Sequence, residues 1–263
     1  MTTDDRTLEA AMADLATTAP PTLAPNTLVA VGLADHMARM ASVIGPLYVA
    51  WNGLGVSAVE SAEFADTHSA RTGRPVVPVD RLPSALAEAI DRRLAGDRRV
   101  RIDLDLRGHS EFERDVWRKA LDIPRGEVRP YGWVAGEIGR PKAVRAVGTA
   151  LGHNPVPLIV PCNRVVRTDG TIGQYSLGGP ENKRTILASE GLDPDEMEAA
   201  ARRGERLIGC ASTGIVCWPT CHTGRHMLPK NRRPFRSLAA AAEAGYRPCK
   251  MCRPASGTGT IAA

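Results

Sequence analysis

The sequence predicts three consecutive domains: an α/β domain, an α-helical domain containing a helix-turn-helix, and a small C-terminal α/β domain rich in cysteine. Three observations predict this order: a hairpin signal near residue 52, two closely spaced helical stretches after residue 130, and two cysteine pairs after residue 215. A chain of 263 residues, 43 % of them hydrophobic, can bury separate cores for such domains. The predicted boundaries are residues 1–25 (flexible N-terminus), 26–105 (α/β domain), 106–191 (helical domain), 192–203 (linker helix), 204–254 (cysteine-rich domain) and 255–263 (flexible tail).

The α/β domain is predicted from a hairpin and a helix. Residues 45–60 (GPLYVAWNGLGVSAVE) contain two short apolar runs around Asn52, a pattern typical of a β-hairpin. Residues 82–94 have apolar side chains at helical spacing. We find no motif of catalytic residues in this domain.

The helical domain is predicted from a capping box and a helix-turn-helix. Ser110 followed by Glu113 is a capping-box pattern that opens a helix over residues 111–121. Residues 131–138 and 143–152 are two helical stretches separated only by GRPK, which is helix-turn-helix spacing. Two packed core helices would give the same pattern, so the spacing by itself does not establish DNA binding.

Residues 158–168 (LIVPCNRVVRT) place one cysteine in an unusual setting. Cys162 follows Pro161 and has β-branched residues on both sides, which predicts a thiol that ends a buried strand at a rigid turn. All six cysteines lie at or after this position. That distribution argues against a disulfide framework and favours thiol chemistry or metal binding.

The first residues of the chain and its hydropathy predict its cellular location. The first ten residues (MTTDDRTLEA) carry acids where a secretory signal needs bases. No apolar run approaches the roughly 20 residues that a membrane span requires. We therefore expect a cytoplasmic protein without a membrane partner, and we expect a monomer.

Positive charge is concentrated near the C-terminus. Residues 202–253 contain 11 Lys or Arg against Glu205 and Glu243, a net charge of +9, whereas residues 191–201 carry −4 and the first 190 residues balance to zero. Such an excess is typical of a surface that faces phosphates. A solvated basic face is the alternative interpretation.

Two close cysteine pairs mark the last domain. CWPTC contains Cys217 and Cys221, CKMC contains Cys249 and Cys252, and 27 residues separate the pairs. Four thiolates can surround one ion tetrahedrally, and their softness selects zinc. The sequence therefore predicts a zinc-binding α/β domain with one Zn²⁺. His222 and His226 could substitute for a sulfur, whereas Cys210 lies too far before the first pair to join the simplest ligand set.

Several motifs resemble two families of DNA-repair proteins. PCNRVV resembles the PCHRVV active site of the O6-alkylguanine-DNA alkyltransferases, and IPRGEVRPYG, IGRPKAVRAVG, NPVPLIVPC, RTDGTIGQYS and ASEG resemble the same family in order and spacing. STGIVCWPTC and AAAEAGYRPCKMCRP resemble the zinc domain of the Ada-type methylphosphotriester repair proteins. The first resemblance implies a ribonuclease H-like fold for the N-terminal α/β domain.

The same resemblance implies repair of duplex DNA by direct transfer of an alkyl group from O6-alkylguanine to Cys162. A thiolate is nucleophilic enough near neutral pH to accept that carbon. Because the thioether is stable, one chain would repair one lesion. The target atom lies inside the duplex, so the base would have to be flipped out.

Motif positions imply roles for further residues. Tyr131 would assist rotation and protonation of the guanine, Asn154 would orient the active-site turn, and Arg145 would fill the vacated base stack. Glu190 would end a hydrogen-bond relay from the cysteine, and Lys183 lies where the family has a lysine near the pocket. The other DNA-binding candidates are Ala143 and Gly148 on the helix in the minor groove, Tyr175 and Ser176 in the guanine pocket, and Arg225, Lys230, Arg232, Arg233 and Arg236 as phosphate contacts.

One position departs from the family pattern. Asn163 stands where the family has histidine, and an amide cannot take up a proton at any useful pH. Loss of a general base typically costs roughly 100- to 10,000-fold in rate. Three outcomes are open: Asn163 holds a water while Glu190 acts through a longer chain, transfer is slow but completes one turnover, or the protein binds lesions without repairing them. Retention of Cys162 favours transfer.

The second resemblance implies that Cys217 is both a zinc ligand and a second nucleophile, which accepts a methyl group from a backbone phosphotriester. Methylation would change the formal charge of the four-thiolate site from −2 to −1 and lower its repulsion of phosphate. Three alternatives stay open: a structural zinc with a solvated basic rim, a non-catalytic lesion-recognition protein, and a zinc-domain methylation sensor.

Overall fold

The computed structural model describes residues 23–257, and these form a mixed α/β protein with three sheets. Most of the predicted flexible N-terminus and tail lies outside the described residues. The described part of those segments lies in a helix that begins at Leu23 and in a 3-10 turn that ends at Gly257. Among the described residues, no helix combines the length and the apolar character needed to cross a bilayer.

The N-terminal domain is built on one four-stranded sheet. Its elements are α1 (Leu23–Ala30), β1 (Asp35–Met40), β2 (Leu47–Asn52), β3 (Gly55–Glu60), α2 (Ala62–Ala65), α3 (His68–Thr72), β4 (Val76–Pro78) and α4 (Ser84–Leu94). The strand order is β3-β2-β1-β4, with β1, β2 and β3 antiparallel and β4 parallel to β1.

Both elements predicted for this domain are present. The hairpin is confirmed, since β2 and β3 pair with Asn52 opposite Gly55 across a two-residue turn. The helix predicted over residues 82–94 begins at Ser84, because Pro83 has an extended ψ of 136° and occupies the N-cap position.

The helical domain follows the predicted pattern closely. Its elements are α5 (Glu111–Leu121), β5 (Arg129–Pro130), α6 (Tyr131–Glu137), α7 (Val144–Gly152), β6 (Val165–Val166) and α8 (Gly179–Ser189). The capping box is confirmed: the Ser110 side chain accepts from the Glu113 amide, and the Glu113 carboxylate accepts from the Ser110 amide. Trp117 is fully buried and its indole donates to the Ala150 carbonyl at 2.8 Å, which fastens α5 to α7.

The prediction that Cys162 ends a strand is wrong. Cys162 opens a single 3-10 turn, Cys162–Arg164, and the two-residue strand β6 follows it and pairs parallel with β5. Pro157 and Pro161 cannot donate to a ladder, and Leu158 has a φ of +70°, so the apolar run before the cysteine folds as irregular chain.

The C-terminal domain contains α9 (Pro194–Arg202), β7 (Leu207–Cys210), β8 (Ile215–Cys217), α10 (His222–Arg225), β9 (Arg232–Phe235), α11 (Leu238–Glu243) and β10 (Arg247–Pro248). The sheet order is β10-β8-β7-β9. Asp193 caps α9 by accepting from two backbone amides. Contrary to the expectation of separate cores, buried side chains of all three domains form one contiguous cluster.

Candidate active site and metal centre

Cys162 is buried, with 5 % of its surface exposed, and its sulfur is held by one side-chain amide. Asn154 Nδ2 donates to Cys162 Sγ at 3.1 Å and to the Val160 carbonyl at 3.0 Å. Asn154 Oδ1 accepts from the Val156 amide at 3.1 Å. The Asn154 side chain therefore links the backbone of residues 156 and 160 to the sulfur of Cys162.

Opposing effects set the ionisation of this thiol. Burial raises the pKa of Cys162 above its ordinary value, whereas the hydrogen bond from Asn154, the positive charge of Lys183 and the nearby Tyr175 hydroxyl favour the thiolate and offset part of that rise. The pKa remains raised, so the thiol is protonated at neutral pH and loses its proton before or during any attack.

Lys183 is a fully buried cation in the same site. Its Nζ donates to the Val165 carbonyl at 2.6 Å and to the Gln174 carbonyl at 3.4 Å. Burial lowers the pKa of Lys183 to about 8, although the neighbouring Cys162 acts in the opposite direction. The ammonium group is therefore mostly charged at neutral pH, where it favours a negative sulfur.

Asn163 and Glu190 meet beside the thiol. Asn163 Nδ2 donates to Glu190 Oε1 at 3.0 Å. Glu190 also accepts from Arg164 Nε at 2.9 Å and from the Gly126 amide at 3.2 Å. The two residues of the proposed relay are thus in contact. Sequence reasoning missed Arg164, although its position two residues after Cys162 was a signal.

Two tyrosines lie near the sulfur. Tyr175 is buried, its hydroxyl has no hydrogen-bond partner among the described residues, and burial together with Cys162 holds its pKa well above the ordinary value. Tyr131 is half-buried at the start of α6, and burial and Cys162 raise its pKa as well. A Cβ built on Gly148 of α7 would lie 3.9 Å from the Tyr131 ring. Both phenols are protonated at neutral pH.

The remaining DNA-binding candidates lie at the surface. Arg145 is exposed on α7, and its guanidinium has no ion-pair or hydrogen-bond partner within residues 23–257. Ala143 caps the same helix and is half-buried. Ser176 is exposed and lines a cleft together with Asn154. The structure thus places an unpaired cation on the second helix, and a polar side chain in a cleft that Asn154 also lines.

The four predicted metal ligands form one buried cluster. The sulfur atoms of Cys217, Cys221, Cys249 and Cys252 all lie within 4.8 Å of one another. Four thiolates at this spacing suit tetrahedral Zn²⁺, so the residues fit the metal. Cys210 stays outside the cluster, as predicted. Cys217 has no exposed surface, so a bulky methyl donor needs a local opening to reach it.

The basic residues predicted to contact phosphate are all exposed, and they lie on or near α10 and β9. They are Arg225, Lys230, Arg232, Arg233 and Arg236. One of them has a second role: the guanidinium of Arg225 packs against Gly126 of the helical domain, 3.0 Å from where a Cβ of that glycine would be.

Family models match two segments of the chain. The family described as 6-O-methylguanine DNA methyltransferase, DNA binding domain, matches residues 111–192, and the metal binding domain of Ada matches residues 197–255. A methylated-DNA–protein-cysteine methyltransferase of Mycobacterium tuberculosis is 38 % identical over 159 residues, which cover 59 % of this chain and 92 % of that protein. The chain belongs to this methyltransferase family.

Two further methyltransferases and one solved structure are also similar to this chain. A relative from Shigella flexneri is 34 % identical over 162 residues and 94 % of its length is covered. A relative from Mycolicibacterium paratuberculosis is 54 % identical over 89 residues, where the match spans 34 % of this chain and 53 % of that protein. A crystal structure of Mycobacterium tuberculosis OGT in complex with DNA is 36 % identical, with a TM-score of 0.50, and covers 59 % of this chain and 92 % of that one.

Proposed function

We propose that this protein repairs DNA as a single-turnover methylated-DNA–[protein]-cysteine S-methyltransferase, which moves an alkyl group from O6 of guanine in a duplex to Cys162. The observation that carries the proposal is the thiol itself. It is buried, hydrogen-bonded by Asn154 and placed under the influence of the Lys183 charge, inside the chain segment that matches the family.

The chemistry is one displacement at carbon. The thiol of Cys162 gives up its proton, the sulfur attacks the alkyl carbon, and an S–C bond forms as the C–O6 bond breaks. The electron pair of the broken bond stays with the guanine, which takes a proton from Tyr131. That phenol is protonated at neutral pH, since its pKa lies above the ordinary value, and it therefore has a proton to donate.

Asn163 decides how the thiol loses its proton. Its amide donates to Glu190 and cannot hold a proton, so no basic ring stands between Cys162 and that carboxylate. We infer that the thiol proton leaves through water. The thiolate then depends on Asn154 and Lys183 for its stabilisation, which supports slow but complete transfer.

The helix-turn-helix supplies the DNA contacts. We propose that α7 lies in the minor groove, where the small residues Ala143 and Gly148 permit close approach, and that Arg145 fills the stack left by the flipped base. We propose that the guanine is received beside Tyr175, which is buried, and Ser176, which lines a cleft with Asn154.

The cysteine cluster favours a second function. We propose that Cys217 accepts a methyl group from a methylphosphotriester, with formation of an S–C bond and release of an ordinary phosphodiester. Cys217, Cys221, Cys249 and Cys252 would hold Zn²⁺, which would keep their sulfurs as thiolates at neutral pH. Arg232 and Arg233 then contact the DNA backbone, and loss of one negative charge at the cluster tightens that contact.

Three further proposals concern the N-terminal fold, the cellular compartment and the oligomeric state. We infer a ribonuclease H-like N-terminal fold, supported by an antiparallel three-strand meander whose first strand pairs parallel with β4. We also propose a cytoplasmic monomer. Six cysteines without disulfides support a reducing compartment.

A stoichiometric assay tests the main function. An excess of a duplex that carries one O6-methylguanine is mixed with a limiting amount of protein, and the number of lesions removed per chain is measured over time. We expect each chain to remove at most one methyl group, Cys162→Ala to remove none, and the control Cys210→Ala to match the parent protein. Tight binding to the duplex with a persistent lesion would overturn the proposal and favour lesion recognition without repair.

A further inference from the structure

The metal-binding loop of the C-terminal domain is hydrogen-bonded to the helical domain. Thr220 Oγ1 accepts from the Val128 amide at 2.9 Å and donates to the Val128 carbonyl at 3.3 Å. The His222 amide donates to Glu127 Oε1 at 2.9 Å. Thr220 and His222 flank Cys221, so the two neighbours of one zinc ligand contact two adjacent residues of the other domain, Val128 and Glu127.

The opposite side of this segment contacts the active site. The Gly126 amide donates to Glu190 Oε2 at 3.2 Å, and the Ile123 carbonyl accepts from Arg164 at 2.8 Å. Gly126 has a φ of +72°, and a Cβ there would lie 2.8 Å from the Glu190 carbonyl oxygen. Residues 123–128, here called the junction segment, are therefore held between the metal-binding loop and Glu190.

Charged side chains from both domains pair at this junction. Glu127 is 5 % exposed and pairs with Arg129, whose guanidinium lies over the Trp133 ring at 5.7 Å. Arg253 of the C-terminal domain lies over the same ring at 5.8 Å and pairs with Glu137. A buried charge that loses its partners is strongly unfavourable. The charges at the junction are thus satisfied by both domains together.

We propose that docking of the zinc-loaded C-terminal domain orders the Glu190 side of the Cys162 site through the junction segment, with Glu127 as the positioning residue. Metal binding folds the loop that carries its ligands, so zinc orders Thr220 and His222. These residues order Glu127 and Val128, and Gly126 in turn holds the Glu190 carboxylate that accepts from Asn163. The inference rests on the proposed function only in taking Cys162 as the alkyl acceptor.

Amide hydrogen exchange of the whole chain tests this coupling without any catalytic assay. Exchange at Gly126 is measured in the zinc-loaded protein and after removal of zinc by a chelator. We expect exchange at Gly126 to become about tenfold faster without zinc, as loss of about one net hydrogen bond predicts. Glu127→Ala should give the same increase with zinc bound. Glu127→Gln, which keeps an oxygen acceptor for the His222 amide, should restore most of the protection.

Ser237→Ala is the matched control. Ser237 caps α11 inside the C-terminal domain by accepting from the Ala240 amide, so its loss weakens that domain without touching the junction. Exchange at Gly126 should stay within about twofold of the parent protein, because loss of an exposed cap acts locally.

Unchanged exchange at Gly126 after zinc removal would overturn the inference, as would equal effects of Glu127→Ala and Ser237→Ala. The stoichiometric assay separates this failure from failure of the proposed function. Faster exchange at Gly126 after zinc removal, together with no methyl transfer, would overturn the proposed function but support the inference. Methyl transfer, together with unchanged exchange at Gly126, would support the proposed function but overturn the inference.

Discussion

Cys162 and Cys217 are both buried thiols, but they differ in what surrounds the sulfur. The sulfur of Cys162 has one amide donor at 3.1 Å, and the positive charge of Lys183 favours its thiolate form. The sulfur of Cys217 lies within 4.8 Å of three other cysteine sulfurs. Neutral and cationic side chains must therefore stabilise the first thiolate. Zn²⁺ bound by the four cysteines would perform that task in the second site, so the two proposed nucleophiles rely on different groups for their ionisation.

Loss of a zinc ligand should have the largest effect. Cys249→Ser removes one of four thiolates, and zinc sites of this type contribute about 10–16 kcal/mol to folding, so we expect loss of zinc and unfolding of residues 204–254. Metal analysis and thermal melting measure both effects. The control Cys210→Ser should keep one zinc per chain, and an equally tight zinc site in Cys249→Ser would contradict the four-cysteine assignment.

Removal of the amide donor should damage only the first site. Asn154→Ala loses the hydrogen bond to the sulfur, and since such a bond to a charged group contributes about 1.5–3 kcal/mol, we expect transfer from O6-methylguanine to slow by roughly 10- to 100-fold. Single-turnover kinetics measure the rate. Zinc content should stay at one per chain, and a parental rate would show that Asn154 does not support the thiolate.

Introduction of a base at position 163 should accelerate alkyl transfer to Cys162. Asn163→His places an imidazole beside Glu190, and gain of a general base should raise the transfer rate by about 100-fold, the lower end of the usual range. Asn163→Gln supplies a longer amide without a base and should not accelerate transfer. If the histidine variant reacted at the parental rate, proton removal would not limit this protein.

The pH profile should show the charge on Lys183. Below the pKa of the thiol, the thiolate fraction rises about tenfold per pH unit. Above about pH 8 the ammonium of Lys183 loses its proton, its support of the thiolate disappears, and the slope should fall. Lys183→Met should react more slowly at pH 7 and lack this change of slope. A parallel profile for the variant would exclude an electrostatic role for Lys183.

The smallest effect is expected at the DNA surface. Arg145→Ala removes an exposed, unpaired cation, so the fold should stay intact while affinity for the lesion-containing duplex falls about tenfold, as loss of one anchoring arginine predicts. Binding titrations at fixed salt measure this difference. Equal affinities would remove α7 from the proposed DNA interface.

Local signals predicted much of this molecule from the sequence. Ser110 and Glu113 fixed the start of α5 because a capping box acts over three residues, and the four zinc ligands lie in two short motifs. The environment of Glu190 could not be predicted, since Arg164 and Gly126 reach it only through tertiary folding. The apolar run before Cys162 misled the strand prediction because its prolines and a positive φ outweigh β-propensity.

The N-terminal domain shows the same limit. No chemistry was visible in its sequence, yet His68 is fully buried between Asp35 at 2.9 Å and Glu60 at 3.3 Å. Burial alone would lower the pKa of His68, but the hydrogen bonds to these two carboxylates outweigh burial and raise it. The three residues come from separate elements, so only the folded sheet brings them together.

Peptide mapping by mass spectrometry tests the central contrast most directly. The protein is incubated with one duplex that carries a single O6-methylguanine and, separately, with one that carries a single methylphosphotriester. We predict a methyl increment on the Cys162 peptide with the first duplex and on the Cys217 peptide with the second. A methyl group on the same cysteine in both reactions, or no increment at Cys162 with the first duplex, would contradict the account.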